Sequence, residues 1–193
     1  MKNIVILISG SGSNMVAIAQ AAKSQSWRSK FDAHIAAVVS SKPDASGLAL
    51  ANALGIITEC LDHRAFTSRE AFDAALMLKI DTYEPVLVVL AGFMRILTPA
   101  FVVHYAGRLI NIHPSLLPEF TGLNTHQRAI DAGRRFAGAT VHLVTDELDI
   151  GPILAQAKVP IFSGDTAAML AERVQMQEHQ IYPQAIAKLL ETL

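Results

Sequence analysis

One cysteine, Cys60, is too few for an intramolecular disulfide framework or for a multi-cysteine zinc or iron–sulfur site, and it suits a reducing compartment. Charge is scarce as well: 17% of the 193 residues carry it, the formal net charge is −1, and the 16 Lys and Arg residues are scattered rather than clustered. A surface that neutralises many phosphates needs the opposite, which sets aside nucleic acid and membrane as partners. The apolar opening Ile4-Val5-Ile6-Leu7-Ile8 is too short to cross a bilayer and runs straight into a glycine turn. No small-residue cleavage site follows it, so it does not read as a secretory signal, and the expected location is the cytoplasm. Linker-like Gly/Ser/Pro stretches and internal repeats are absent too. With 51% hydrophobic residues the chain can bury a large core, and the expectation is one continuous domain over 1–193 with a nucleotide-binding-type half over 1–112.

What is present in that first half is alternation. Ile4–Ile8, Ala33–Val39, Val86–Ala91 and Leu109–Ile112 are apolar throughout, as central parallel strands covered on both faces must be. Helical patterns lie between them at about Asn14–Ser24, Ala45–Leu54 and Ser68–Thr82, with Asp44 and Thr67 in N-cap positions. The order predicts a doubly wound, mostly parallel α/β sheet, Rossmann-like in its N-terminal half. Beyond residue 112 the pattern changes. Pro114 to Thr121 reads as loop, Asn124–Ala132 as a short helix, and Thr140–Val144 and Ile153–Ile161 as added strands. A long helix then spans about Thr166 to Leu190, capped by Asp165 and kinked or interrupted at Pro183.

Two segments carry the strongest chemical signals. Ser9-Gly10-Ser11-Gly12-Ser13-Asn14 lies between the first strand and the first helix. Gly10 and Gly12 permit backbone conformations closed to other residues, so successive N–H groups can converge on an anion at the helix N-terminus, with Ser13 and Asn14 adding side-chain donors. A dinucleotide fits less well. Val16 stands where G-x-G-x-x-G would place its third glycine, and the second strand ends in Ser40-Ser41-Lys42 with no acid for a ribose hydroxyl. A monophosphate suits the turn better, although Lys42 could meet the 2′-phosphate of NADP. The second segment is Asn111-Ile112-His113-Pro114. On a strand Asn111 and His113 share one face, at the carboxyl end where open α/β sheets bind ligands. An amide donor beside a titratable imidazole suits a developing oxyanion: one group stabilises charge and the other moves a proton.

A third segment, Thr145-Asp146-Glu147-Leu148-Asp149-Ile150-Gly151, concentrates acids in a charge-poor chain. The D-x-D-x-D-G spacing of a calcium loop is absent. One of these acids could instead sit against a histidine and favour its protonated form. His142 competes with His113 for the catalytic role, but its mid-strand place suits a structural one. No H-x-x-x-H or cysteine-containing ligand pattern accompanies His113, His126 and His142, so no metal is expected. In the C-terminal helix Leu170, Val174, Ile181, Ala185 and Leu189 form an apolar stripe on which Glu178 also falls. A carboxylate there needs a partner: a structural Arg or Lys, a backbone donor, a proton of its own, or a ligand amine.

Taken together, Gly12-Ser13-Asn14, Ala91-Gly92-Phe93-Met94-Arg95-Ile96-Leu97, Asn111-Ile112-His113-Pro114-Ser115-Leu116-Leu117-Pro118 and Asp146-Glu147-Leu148-Asp149 with Gly151 resemble the folate-dependent formyltransferases, and among them those acting on phosphoribosylglycinamide in purine biosynthesis. The likeness covers nearly the whole chain. It implies an enzyme moving a formyl group from 10-formyltetrahydrofolate, as co-substrate and without metal, to the amine of phosphoribosylglycinamide. Asn111, His113 and Asp149 would be catalytic; Gly12, Ser13 and Asn14 would hold the substrate phosphate, and Glu178 its amine. Arg69, Met94, Arg95, Ile96, Leu97 and Asn111 would bind folate. The half 113–193 is separately expected to be the catalytic and folate-binding one and 1–112 the phosphate-binding one, a division that these folate residues, all within 1–112, do not follow. The departure from the resemblance is Glu119-Phe120-Thr121, where a basic, proline-containing segment is usual. A formyltetrahydrofolate hydrolase, an NADP-dependent reductase and a non-catalytic nucleotide-binding module are the competing readings. Monomer and homodimer both remain open.

Overall fold

The uninterrupted apolar runs become strands buried on both faces. In the computed structural model, which describes residues 1–193, Ile4 to Ile8 are wholly inaccessible to solvent. They lie in β1 (Lys2–Ile8), at the centre of a seven-stranded sheet with β2 (Ala33–Ser40), β3 (Ile57–Cys60), β4 (Pro85–Leu90), β5 (Leu109–His113), β6 (Phe136–Leu143) and β7 (Ile153–Pro160). Spatial order is β3-β2-β1-β4-β5-β6-β7. The first five in that order pair in parallel, whereas β6 pairs antiparallel with β5 and β7 antiparallel with β6. The mostly parallel α/β sheet expected from the sequence is therefore present, with its two added strands at one edge.

Alternation along β1 divides the core. Ile4, Ile6 and Ile8 face α1 (Ser13–Ser24) and α7 (Ala167–Leu190), in a cluster that includes Met15, Ile18, Val174 and Tyr182. Val5 and Leu7 face the other way, packing with Phe72, Leu76 and Ile80 of α4 (Arg69–Asp81) and with Phe101 of α5 (Pro99–His104). Each such side chain contributes about 1.5–3 kcal/mol by leaving water. The remaining helices are α2 (Trp27–Phe31), α3 (Ser46–Ala53) and α6 (Thr125–Asp131). No helix is long and apolar enough to cross a membrane.

Several local expectations shift. The N-caps are Ala45, Ser68 and Thr166, each one residue after Asp44, Thr67 and Asp165. Ser68 and Thr166 accept from the N–H three residues on, as short hydroxyl caps do. Asp165 instead accepts the Phe162 N–H and pairs with Arg173 at 2.8 Å. Pro183 lies inside α7 without interrupting it, buried beside Tyr182, whose hydroxyl reaches the carbonyls of Leu90 and Ile110. Packing of that turn against the sheet outweighs the lost backbone bond. Short α2, β3 and α5 add to the elements expected from the sequence, and β6 begins earlier than Thr140. Chain order reverses direction across β1 and β4, so their carboxyl ends open the crevice where such sheets take ligands.

Candidate active site

The turn after β1 is held by backbone contact. Gly12 adopts φ 74°, and a Cβ there would lie 2.8 Å from the Cα of Gly47. Gly47 donates its N–H to the Gly10 carbonyl at 3.0 Å, locking the turn onto α3. Gly10 itself has no such requirement, since a Cβ would meet nothing within 4 Å, so only one of the two glycines is conformationally demanded. Gly12 caps α1 without a side-chain bond, and the N–H groups of Ser13, Asn14 and Met15 have no protein acceptor. With the helix dipole behind them, such free donors are able to hold an anion. Two side chains of this turn reach α7: Ser13 accepts from Gln175 at 3.1 Å, and buried Asn14 donates to Glu178 Oε2 at 2.8 Å.

Asn111 and His113 lie on one face at the end of β5, opposite His142 and Thr140 of β6. The His113 ring is buried, with Nδ1 3.4 Å from Asp149 Oδ2 and Nε2 3.0 Å from the Phe120 carbonyl. Both ring nitrogens thus face oxygen acceptors. Asp149 comes from the β6–β7 loop at φ 58°, a left-handed conformation that Asp tolerates better than most residues. Its Oδ2 accepts the Gly122 N–H at 3.0 Å. Gly151 lets this loop pass, because any Cβ would collide with the Leu143 carbonyl oxygen.

His142 stands at the end of β6, not mid-strand as expected, and belongs to the same cluster. Nδ1 meets the Leu143 carbonyl at 2.9 Å, which assigns the proton to that nitrogen. Burial pushes its pKa down, so Nε2 is left bare and accepts from the Asn111 amide at 3.4 Å. This fixes the Asn111 amide orientation and leaves its second N–H for a ligand. Asp149 Oδ1 lies 3.8 Å from the same His142 nitrogen. Burial also lowers the pKa of His126, with His113 a further cause. No group of three or more His, Cys, Asp or Glu side chains is disposed to hold a metal ion.

Met94 to Leu97 follow β4 at the same edge of the sheet. Met94 and Ile96 are largely exposed. Apart from the Met94 N–H, which donates to Ser9 Oγ at 2.9 Å, the backbone groups of Phe93 to Leu97 make no hydrogen bond within the protein. Such a run of free donors and acceptors can read the edge of a flat heterocycle. Arg69 opens α4 and is exposed; its nearest carboxylate is Glu70 at 3.9 Å, and it bonds to none of the cluster. Glu178 is buried, and loss of water raises its pKa, opposed by the Asn14 bond and by charge on His179 and His113. Sequence reasoning missed the Phe120 carbonyl and the Gly122 N–H as partners of His113 and Asp149. Both are backbone groups, which residue identity does not advertise.

The formyl transferase family pattern matches residues 2–186. The chain is 56% identical to the phosphoribosylglycinamide formyltransferase of Escherichia coli (strain K12) over 185 residues, covering 96% of this chain and 85% of that protein. It is 40% identical over 183 residues to the human trifunctional purine biosynthetic protein adenosine-3, 95% of this chain but 18% of that one. The crystal structure of phosphoribosylglycinamide formyltransferase from Brucella melitensis superposes with a TM-score of 0.91 at 51% identity, covering 98% of this chain and 95% of the other. Glycinamide ribonucleotide transformylase 1 from Symbiobacterium toebii gives 0.94 at 42%, covering 100% and 89%. On the strength of this full-length agreement in sequence and in fold, the chain belongs to the formyl transferase family.

Proposed function

We propose that this enzyme transfers the formyl group of 10-formyltetrahydrofolate to the amine of phosphoribosylglycinamide, giving N-formylglycinamide ribonucleotide and tetrahydrofolate. One observation carries the reading. The Asn111–His113–Asp149 cluster ends β5 on the sheet edge that also bears a free helix N-terminus after β1 and an unpaired backbone segment after β4. An anion subsite and a heterocycle subsite thus accompany a pair of oxyanion donors. The relatives' names support the substrates.

The amine adds to the formyl carbon and charge develops on the formyl oxygen. The free N–H of Asn111 and the ring of His113 meet that charge, and losing one such donor typically costs about 10²–10³ in rate. Asp149 Oδ2, 3.4 Å from Nδ1, faces the ring from the other side. His113 then gives a proton toward the departing folate nitrogen, for which Nε2 must exchange the Phe120 carbonyl for substrate, and the proton shed by the attacking amine restores the ring, so no net proton is consumed. Gly12, Ser13 and Asn14 bind the phosphate, Glu178 the amine end, and Met94 to Leu97 with Arg69 the folate. Mass spectrometry of the amine after incubation with 10-formyltetrahydrofolate tests the reading: one added formyl group is expected, and an unchanged amine contradicts it.

A further inference from the structure

Asp73 is a buried carboxylate that the transfer chemistry does not use. It lies on the inner face of α4, 1% exposed, and its Oδ2 accepts the Thr98 N–H at 2.6 Å while Oδ1 has no partner. Thr98 is the N-cap of α5, with its hydroxyl on the Phe101 N–H at 3.3 Å. In a capping box the residue at that third helical position would send a carboxylate back to the cap's own N–H. Phe101 cannot, and Asp73 supplies the missing half from another helix. A half-satisfied buried acid is costly, so a role beyond packing is called for.

That role follows from what lies between two anchors. Gly92 to Thr98 has no regular structure and is held at one end by Ser9, which donates its N–H to the Gly92 carbonyl at 3.1 Å and accepts the Met94 N–H on Oγ. The Ser9 hydroxyl is itself held by Ser41 Oγ at 2.8 Å. At the other end stands Asp73. Side-chain acceptors at both ends hold the segment without consuming the backbone groups of Arg95, Ile96 and Leu97. We propose that Asp73 and Ser9 are positioning residues for folate recognition, holding this segment in the irregular course whose free backbone groups meet the ligand.

This inference rests on reading Met94 to Leu97 as the folate subsite. When only part of the population is competent, apparent affinity falls by that fraction. Calorimetric titration of the full chain with a stable dideazafolate, and separately with phosphoribosylglycinamide, tests it on wild type, Asp73→Ala, Asp73→Asn and Ser9→Ala. Asp73→Ala should weaken folate binding about tenfold and Ser9→Ala about threefold, with amine affinity changed by less than about twofold. Asp73→Asn keeps an oxygen for the Thr98 N–H and should restore most of the folate affinity. Unchanged folate binding in Ser9→Ala and Asp73→Asn alike, with Asp73→Ala either unchanged or unfolded, overturns the positioning role. Equal weakening for both ligands does so too, since that is general loss of structure. A wild-type protein that binds the amine but no folate would overturn the subsite reading itself.

Discussion

Asn14 donates to Glu178 across 164 positions of sequence, joining the first turn of α1 to the middle of α7 by a 2.8 Å bond. The partner is a neutral amide, not an Arg or Lys, so the buried carboxylate has no structural counter-charge bonded to it. That leaves its other oxygen available to a ligand amine. Glu178→Gln should weaken binding of phosphoribosylglycinamide by roughly tenfold or more, as expected for loss of a charged hydrogen bond. Folate affinity should stay nearly constant. Titration with each ligand decides it, and equal losses would make Glu178 a structural acid.

The same burial gives a pH signature. Glu178 has a pKa raised above the ordinary 4.5, chiefly by loss of water, so the folded state holds its proton where the unfolded state has released it. Stability from this group is complete below that ordinary value and declines as pH rises through the raised one. Glu178→Gln should therefore gain stability over wild type near neutral pH and lose that advantage in acid. Denaturant melts at several pH values measure it; a constant difference across the range contradicts it.

Removing His113 should abolish turnover while leaving ligands bound. His113→Ala deletes an oxyanion partner and the proton carrier together, so the loss should exceed the about 10²–10³ typical of one donor. His142→Ala should cost less, because that ring acts on the substrate only through Asn111. Steady-state rates of both variants, with folate-analogue binding as control, give the order. A larger loss for His142 would reverse the assignment.

Gly12→Ala tests the phosphate turn. The added methyl would meet the Gly47 backbone at 2.8 Å in a conformation that alanine avoids. Gly10→Ala meets nothing. The first variant should lose phosphoribosylglycinamide affinity by about 10-fold or more and the second should lose much less. Comparable losses would mean that the turn needs flexibility at both glycines rather than one fixed shape.

Much of this was legible in the sequence because it depends on residue type and period. The strands around Ile6 and Val89 show as unbroken apolar runs, and Asn111 with His113 shows as a polar pair at a strand end. Glu178 betrayed its burial by falling on the stripe of Val174 and Ile181. What escaped depends on distant pieces of chain meeting. Asp73 looks like one more helix acid until Thr98 is brought against it. His142 reads as a strand histidine, and its opposition to Asn111 arises only once β6 pairs antiparallel with β5. Pro183 reads from propensity as a kink or interruption, and the packing around Tyr182 that keeps α7 continuous there is not visible in the sequence.

Formyl transfer to the phosphorylated amine is measured most directly as the rate of tetrahydrofolate release from 10-formyltetrahydrofolate with and without phosphoribosylglycinamide. A transferase should release tetrahydrofolate only when the amine is present, with one formylated amine formed for each folate consumed. Release at the same rate without the amine would identify a hydrolase and contradict the account.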